Sequence, residues 1–333
     1  MLAILSPSIA SKFCASLFAL TAALVMAAPA SAQDVYPDKP VRLIVGRPPG
    51  GVADLAARVI GQHLQARWKQ QVIVENRGGG NGVIAQKAIL QAPEDGYTLL
   101  VAADSDFTIN RFVSKNWQPS FDTDIVPIAR LSFNPVVLVA HSKAPFNSVQ
   151  DLIAAAKADP GGITFATAGI ASSPHLVAEF FAQRTGTDLR HIPYRGGPGA
   201  AAAAAGGHTQ LAALAISSSV ALVQSGEIKV IGLTTKERLK SLPDWPTISE
   251  SGVPDFEANI WTGIFAKAGT PTPLLKRIEA DLREILSDPA VARQFEEVGA
   301  EAAPLFGEEL RAEIKKDSQR NGDLVQRLKL AAD

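Results

Sequence analysis

The sequence predicts an α/β protein of two lobes, each a mainly parallel sheet flanked by helices. Three observations carry that expectation. Apolar runs of strand length alternate with stretches of helical periodicity along most of the 333 residues, and strand–turn–helix units in a row argue a parallel sheet with helices on its faces. One set of such units precedes residue 132 and a second follows residue 136. After a return near 256–262 the tail completes the first lobe, as a clamshell with two chain crossings requires. The expected boundaries are 33–134 plus 257–333 for the first lobe and 135–256 for the second.

Residues 1–32 read as an export leader, with the periplasm as destination. Lys12 supplies a basic start, residues 13–28 an apolar stretch, and Ala30-Ser31-Ala32 a small-residue cleavage signal. No later stretch is long and apolar enough to span a bilayer. Cys14 is the single cysteine and lies inside the leader, so disulfides, thiol nucleophiles and cysteine-bound metals drop out together. A formal net charge of −1 offers no field that would recruit nucleic acid or an anionic membrane. The chain is 47% apolar, a composition that folds.

The chain is organised around its first unit. Val41, Leu43, Ile44 and Val45 make a short buried strand, broken by Gly46-Arg47-Pro48-Pro49-Gly50-Gly51. Leu55, Ala56, Val59, Ile60, Leu64 and Trp68 then recur at helical spacing. The first turn of that helix has free N–H groups at the positive end of a dipole, and the glycines let an anion approach the backbone. Neither G-x-G-x-x-G nor a P-loop lysine is present. A small carboxylate site therefore stands against the plainer reading of a tight turn.

A strand over 71–75, a glycine turn from Asn76 to Gly82, a helix over 83–90 and a strand over 97–102 follow, the last running into a loop at 104–108. An irregular loop with Trp117, Pro119 and Phe121 covers 111–124. These turns sit at the carboxyl ends of strands, where ligands collect in open α/β sheets. Strands over 125–131 and 136–140 are split by Asn134-Pro135. A helix over 148–157 is capped by Ser148 with Asp151 completing a capping box. After a strand over 163–167, Ser173 as N-cap with Pro174 at N1 begins a helix over 175–185. An extended piece at 191–194 leads to a helix over 200–205. Strand, helix and strand follow over 211–216, 220–224 and 230–233, then a polar loop at 235–256. A strand over 260–265, an amphipathic helix over 273–287 and two charged helices over 290–330 end the chain.

Catalysis finds no support in these residues. His63, His141, His175, His191 and His208 lack metal-ligand spacing, and no G-x-S-x-G elbow occurs. Asp104 and Asp106 have no evident acid/base partner. What remains is binding by backbone donors at the helix starts after Gly50-Gly51, Ser172-Ser173 and Gly196-Gly197. Arg47 and Arg195 flank two of these turns and can add charge-assisted bonds. No cofactor and no metal are expected.

Several segments together resemble the tripartite tricarboxylate transporter substrate-binding proteins, also called the Bug or TctC family. They are Tyr36-Pro37-Asp38-Lys39-Pro40-Val41-Arg42-Leu43-Ile44-Val45 and Pro48-Pro49-Gly50-Gly51 with Asp54; Val74-Glu75-Asn76-Arg77; Asp95-Gly96-Tyr97-Thr98-Leu99-Leu100; His191-Ile192-Pro193-Tyr194-Arg195-Gly196; and Ala268-Gly269-Thr270-Pro271. The resemblance implies a two-lobe periplasmic binding protein of the Venus-flytrap, type II-like fold. Its implied cargo is a small carboxylate or related metabolite, with an amino acid or aromatic amide also open. In the family the loop matching Gly50 to Asp54 holds one carboxylate, partly through ordered waters.

The candidate ligand-binding residues follow from that match. They are Pro49, Gly50, Gly51, Val52, Ala53 and Asp54 on the first turn, with Ser105, Asp106 and Thr108 after the third strand. The second lobe adds Thr167, Ala168, Ser172, Ser173 and His175, then Tyr194 and Gly196. The implied partners are a small-molecule ligand and inner-membrane transporter subunits, for a monomeric protein. The alternative partner is a sensor histidine kinase.

The chain departs from the family pattern where ligands bind. Arg47, Val52 and Ala53 replace Phe, Gly and Thr of a common Phe-Pro-Pro-Gly-Gly-Gly-Thr-Asp. Ala103-Asp104-Ser105-Asp106-Phe107 stands for Thr-Ser-Gly-Thr-His, and Gly206-Gly207-His208-Thr209-Gln210-Leu211 for Gly-Gly-Gln-Val-Asp-Leu. Leu214-Ala215 takes the place of an Asp-Asn. On this reading Asp106 favours a ligand bearing an ammonium or another donor.

Overall fold

A computed structural model describes residues 36–79, 82–114 and 123–330. The predicted leader, Gly80 and Asn81 of the second glycine turn, and Trp117, Pro119 and Phe121 lie outside the described residues. The chain divides into a unit ending at Asp38 and one running from Lys39 to Asp333. All the described helices and strands belong to the second.

The first sheet is built from β1 (Val41–Val45), β2 (Val72–Asn76), β3 (Thr98–Ala103), β4 (Ile125–Asn134) and β10 (Ile260–Lys267), in the order β2-β1-β3-β10-β4. The second holds β5 (Val136–His141), β6 (Thr164–Thr167), β7 (Arg190–Pro193), β8 (Leu211–Ala215) and β9 (Ile228–Leu233), in the order β7-β6-β8-β5-β9. Around the first lie α1 (Val52–Trp68), α2 (Val83–Gln91), the single turns α3 (Ser105–Thr108) and α4 (Asn110–Val113), and α9 (Thr272–Leu286), α10 (Pro289–Glu297) and α11 (Gly307–Leu328). Around the second lie α5 (Val149–Ala158), α6 (Ser173–Thr185), α7 (Gly196–Ala205) and α8 (Val220–Gln224).

Both sheets are mixed, with four strands of each running one way and a single strand against them. β1 pairs in parallel with β2 and β3, and β6 with β7 and β8. β10 and β5 run against both of their neighbours. The crossings explain this. A strand arriving from the other lobe enters where β3 or β8 ends, so it runs the opposite way: Thr262 near the start of β10 lies beside Ala103, and Val136 beside Ala215.

The crossing is fastened by Thr234, which is fully buried. Its amide donates to Val136 O (3.0 Å), its Oγ1 accepts from Val136 N–H (3.2 Å), and its carbonyl accepts from Ala258 N–H (3.1 Å). One residue, just past the end of β9, thus joins the start of β5 to the segment that returns to β10. α11 packs on β4 and α3 of the first lobe and on α6 of the second.

Three local expectations shift. Residues 111–113, expected in an irregular loop, belong to the single turn α4. The loop over 104–108 is a helical turn, closed by Phe107 and Thr108 N–H groups on Asp104 O (3.1 and 3.0 Å). The N-cap of α6 is Ser172 rather than Ser173: Ser172 is extended and its Oγ accepts from His175 N–H at 3.4 Å. Pro174 then falls at N2, where a missing N–H is equally harmless.

Candidate functional site

β1 ends in a turn that the following helix braces from below. Gly50 takes φ +79°, a left-handed conformation with open space around it, so backbone strain rather than crowding calls for glycine. Asp54 in the first turn of α1 is 1% exposed. Its Oδ2 accepts from Gly50 N–H (2.8 Å) and Arg58 Nε–H (3.0 Å), and its Oδ1 from Asn76 Nδ2–H (2.9 Å). Burial opposes the ionised carboxylate, but the bonds from Arg58, Gly50 and Asn76 outweigh it and hold the pKa below the usual range. Asp54 is therefore engaged in shaping the turn.

What the turn offers is backbone. The N-cap Gly51 has no side chain to accept a hydrogen bond, and the first intrahelical bond runs from Leu55 N–H to Gly51 O at 3.0 Å. The amides of Val52, Ala53 and Asp54 precede it, at the positive end of a 17-residue helix. Pro49 has no N–H, and Gly51 N–H turns back to Pro48 O at 3.3 Å. A small anion fits such a corner by chemistry.

Beside it, at the end of β3, Asp106 is 1% exposed and ion-paired. Arg47 Nη2 donates to Asp106 Oδ1 at 2.6 Å and to Ser105 Oγ at 3.0 Å. Ala103 N–H and Asn110 Nδ2–H also donate to this carboxylate, at 3.2 and 3.3 Å. Asp106, expected to meet a ligand's ammonium group, is paired here with Arg47, the partner that a buried carboxylate needs. Thr108 is fully buried and ties this turn to α11, its Oγ1 donating to Asp104 O (2.9 Å) and accepting from Asn321 Nδ2–H (3.0 Å).

In the second lobe, Thr167 and His175 build the loop after β6 from within. Thr167 Oγ1 lies 2.6 Å from His191 Nε2 and accepts from Gly169 N–H at 3.3 Å. His175 is 3% exposed, stacks on His191 with ring centroids 3.8 Å apart, and accepts from Ala171 N–H through Nδ1 at 3.1 Å. Burial, with the neighbouring His191, lowers the His175 pKa to about 3; burial lowers His191 to about 4. Both rings are neutral braces at pH 7. Gly196 N–H is engaged with Ala168 O at 3.2 Å, which joins the loop after β7 to the loop after β6. Ala168, Ser172 and Tyr194 are half-buried along that edge.

One of the places where the two lobes touch is the flank of α6. Ser173 Oγ donates to Asp104 Oδ1 across 3.1 Å. Around this bond Ile109, Val113, Leu324 and Val325 pack with Ala171 and Leu176 of the second lobe. Burial, reinforced by the charge of Asp317, pushes the Asp104 pKa up to about 7.

Of the sequence candidates, the structure gathers Gly51, Val52, Ala53, Ser105 and Asp106 at the first-lobe strand ends and Ala168, Ser172, Tyr194 and Gly196 at those of the second. Asp54, Thr108, Thr167 and His175 lie beneath as supports. Arg58 and Asn76 were missed: Arg58 sits four residues after Asp54, a spacing the sequence displays, whereas Asn76 reaches it from the neighbouring strand. Among the described residues no cluster of metal-ligating side chains occurs and no helix is long and apolar enough to cross a membrane.

Residues 56–330 match the family model described as tripartite tricarboxylate transporter family receptor. A protein of R. palustris solved with adipate is 28% identical, with a TM-score of 0.78 over 90% of this chain and 100% of its own. The periplasmic binding protein BugD is 29% identical, with a TM-score of 0.73 over 90% of this chain and 100% of its own. MatC of Rhodopseudomonas palustris with bound malate is 25% identical, with a TM-score of 0.72 over 87% of this chain and 100% of its own.

Proposed function

The chain belongs to the tripartite tricarboxylate transporter receptor family, whose members are binding proteins and not enzymes, and on that premise we propose that it captures a small carboxylate in the periplasm for a membrane transporter of that type. The observation that carries this reading is the uncapped start of α1, where the Val52, Ala53 and Asp54 amides have no intrahelical acceptor. A carboxylate satisfies such donors without a counter-charge from the protein. Two relatives of the same fold were solved with adipate and with malate, both dicarboxylates, which supports the same class here. The N-terminal leader pattern supports export.

The test is a thermal-shift screen of the purified protein against C3–C8 dicarboxylates, citrate and amino acids. A ligand at about a hundred times its Kd adds roughly 2.7 kcal/mol of stability, enough to raise the midpoint by several degrees. Absence of a shift with every carboxylate, from protein first stripped of ligand by unfolding and refolding, refutes the proposed cargo.

A further inference from the structure

Arg47 occupies a corner where it does two things. Its Nη2 holds Asp106 and Ser105, as described, while Nε and Nη1 have no acceptor among the described residues. Its side chain is 22% exposed, against 1% for Asp106. The carboxylate is therefore covered and the guanidinium is the part a solute can reach. Its backbone is equally fixed: Arg47 O accepts from Asn76 Nδ2–H at 3.1 Å, and that same nitrogen donates to Asp54 Oδ1. One amide group thus sets the position of Arg47 relative to the first turn of α1.

A planar guanidinium held through one nitrogen, Nη2, with its Nε–H and Nη1–H donors still to offer, is suited to an oxyanion and unsuited to a cation. Asp106 cancels the unit charge, yet it orients the fork and leaves donors facing outward. We infer that Arg47, steadied by Asp106 as a positioning residue, meets an anionic end of the ligand beside the α1 first turn, so that this site selects carboxylates over amides and rejects ammonium groups at that corner. This rests on the reading of the protein as a carboxylate receptor, and it makes Arg47 the residue that decides the ligand's charge.

The test is calorimetric titration of the full chain with C3–C8 dicarboxylates, adipamide and 1,4-diaminobutane. Arg47→Met removes the fork but strands the buried Asp106 charge, a change that can disturb folding. The double variant R47M/D106N removes both charges together and keeps an acceptor for Ala103 N–H. The wild type binds its preferred diacid well above the diamide, and R47M/D106N loses about ten- to hundredfold for the diacid with little change for adipamide. Arg47→Lys, which keeps the charge and loses the fork, falls between. Equal diacid affinity in wild type and R47M/D106N overturns the role of Arg47 and leaves the receptor reading standing. Tight binding of diaminobutane that D106N abolishes overturns it too, by handing the corner to Asp106. Failure of every diacid to bind the wild type overturns both readings.

Discussion

Replacing Asp104 with asparagine should stabilise the protein in alkaline but not in acidic solution. Asp104 is 3% exposed and its pKa is about 7 against an ordinary 3.8. The sign follows from proton counts. Between pH 4 and 7 the folded chain keeps the proton that the unfolded chain gives up, so stability falls as pH rises through that window and is level above it. Three units at about 1.4 kcal/mol each make the penalty roughly 4 kcal/mol at pH 8. The neutral amide of the Asp104→Asn variant carries no such penalty. Its oxygen still accepts from Ser173, so the inter-lobe bond survives, and the repulsion from Asp317 disappears.

The wild-type pH curve by itself does not isolate this effect, because His175 and His191 work in the opposite sense. Their folded pKa values are lowered to about 3 and 4, so the unfolded chain binds more protons below pH 6.5 and stability rises with pH from about 4 to 6.5. Those groups are the same in both proteins and cancel in the difference. Urea or thermal unfolding of D104N and wild type from pH 4.5 to 8.5 should give the smallest gap, about 1 kcal/mol, at the acid end, where the unfolded carboxyl is already mostly ionised. It should widen by at most about 1.4 kcal/mol per pH unit and level off above pH 7. A gap that stays constant across the range refutes the reasoning, since Asp104 then does not change charge in the window.

The legibility of this fold and site divides along sequence distance. The β1 strand, its glycine turn and the start of α1 are local features, and the apolar run with Gly50 and Gly51 displays them directly. Pairing across the chain is not displayed. Asp106 reads as a bare loop acid until Arg47, 59 residues earlier, is seen to cover it. His175 reads as a polar residue near a site, and its stack on His191 exists because β6 and β7 are neighbours. Ser172 and Ser173 are equally good caps in sequence; the choice goes with the hydroxyl of Ser173, which is occupied by Asp104 in the other lobe. The direction of β5 and β10 was implicit in the two crossings, since a strand entering at the cleft must run away from it.

Two further substitutions separate the turn from the crossing. Asp54→Ala deprives Gly50 N–H, Arg58 and the Asn76 amide of their shared acceptor, and should cost about 1–3 kcal/mol in urea unfolding while weakening carboxylate binding through a loosened α1 start; unchanged affinity refutes the bracing role. Thr234→Val is nearly isosteric, so its effect reports hydrogen bonding rather than shape. The hydroxyl is the acceptor for Val136 N–H, and it lies 2.9 Å from Val136 O and 3.2 Å from Asn259 Oδ1. Valine leaves that N–H buried and unpaired where β5 begins. The expected loss is about 1–3 kcal/mol, read as a fall in the urea midpoint. Because Thr234 is far in sequence from both glycine turns and serves the crossing strands, diacid affinity should change much less than with Asp54→Ala. A Thr234→Val protein as stable as wild type would mean that the crossing is held by strand pairing alone.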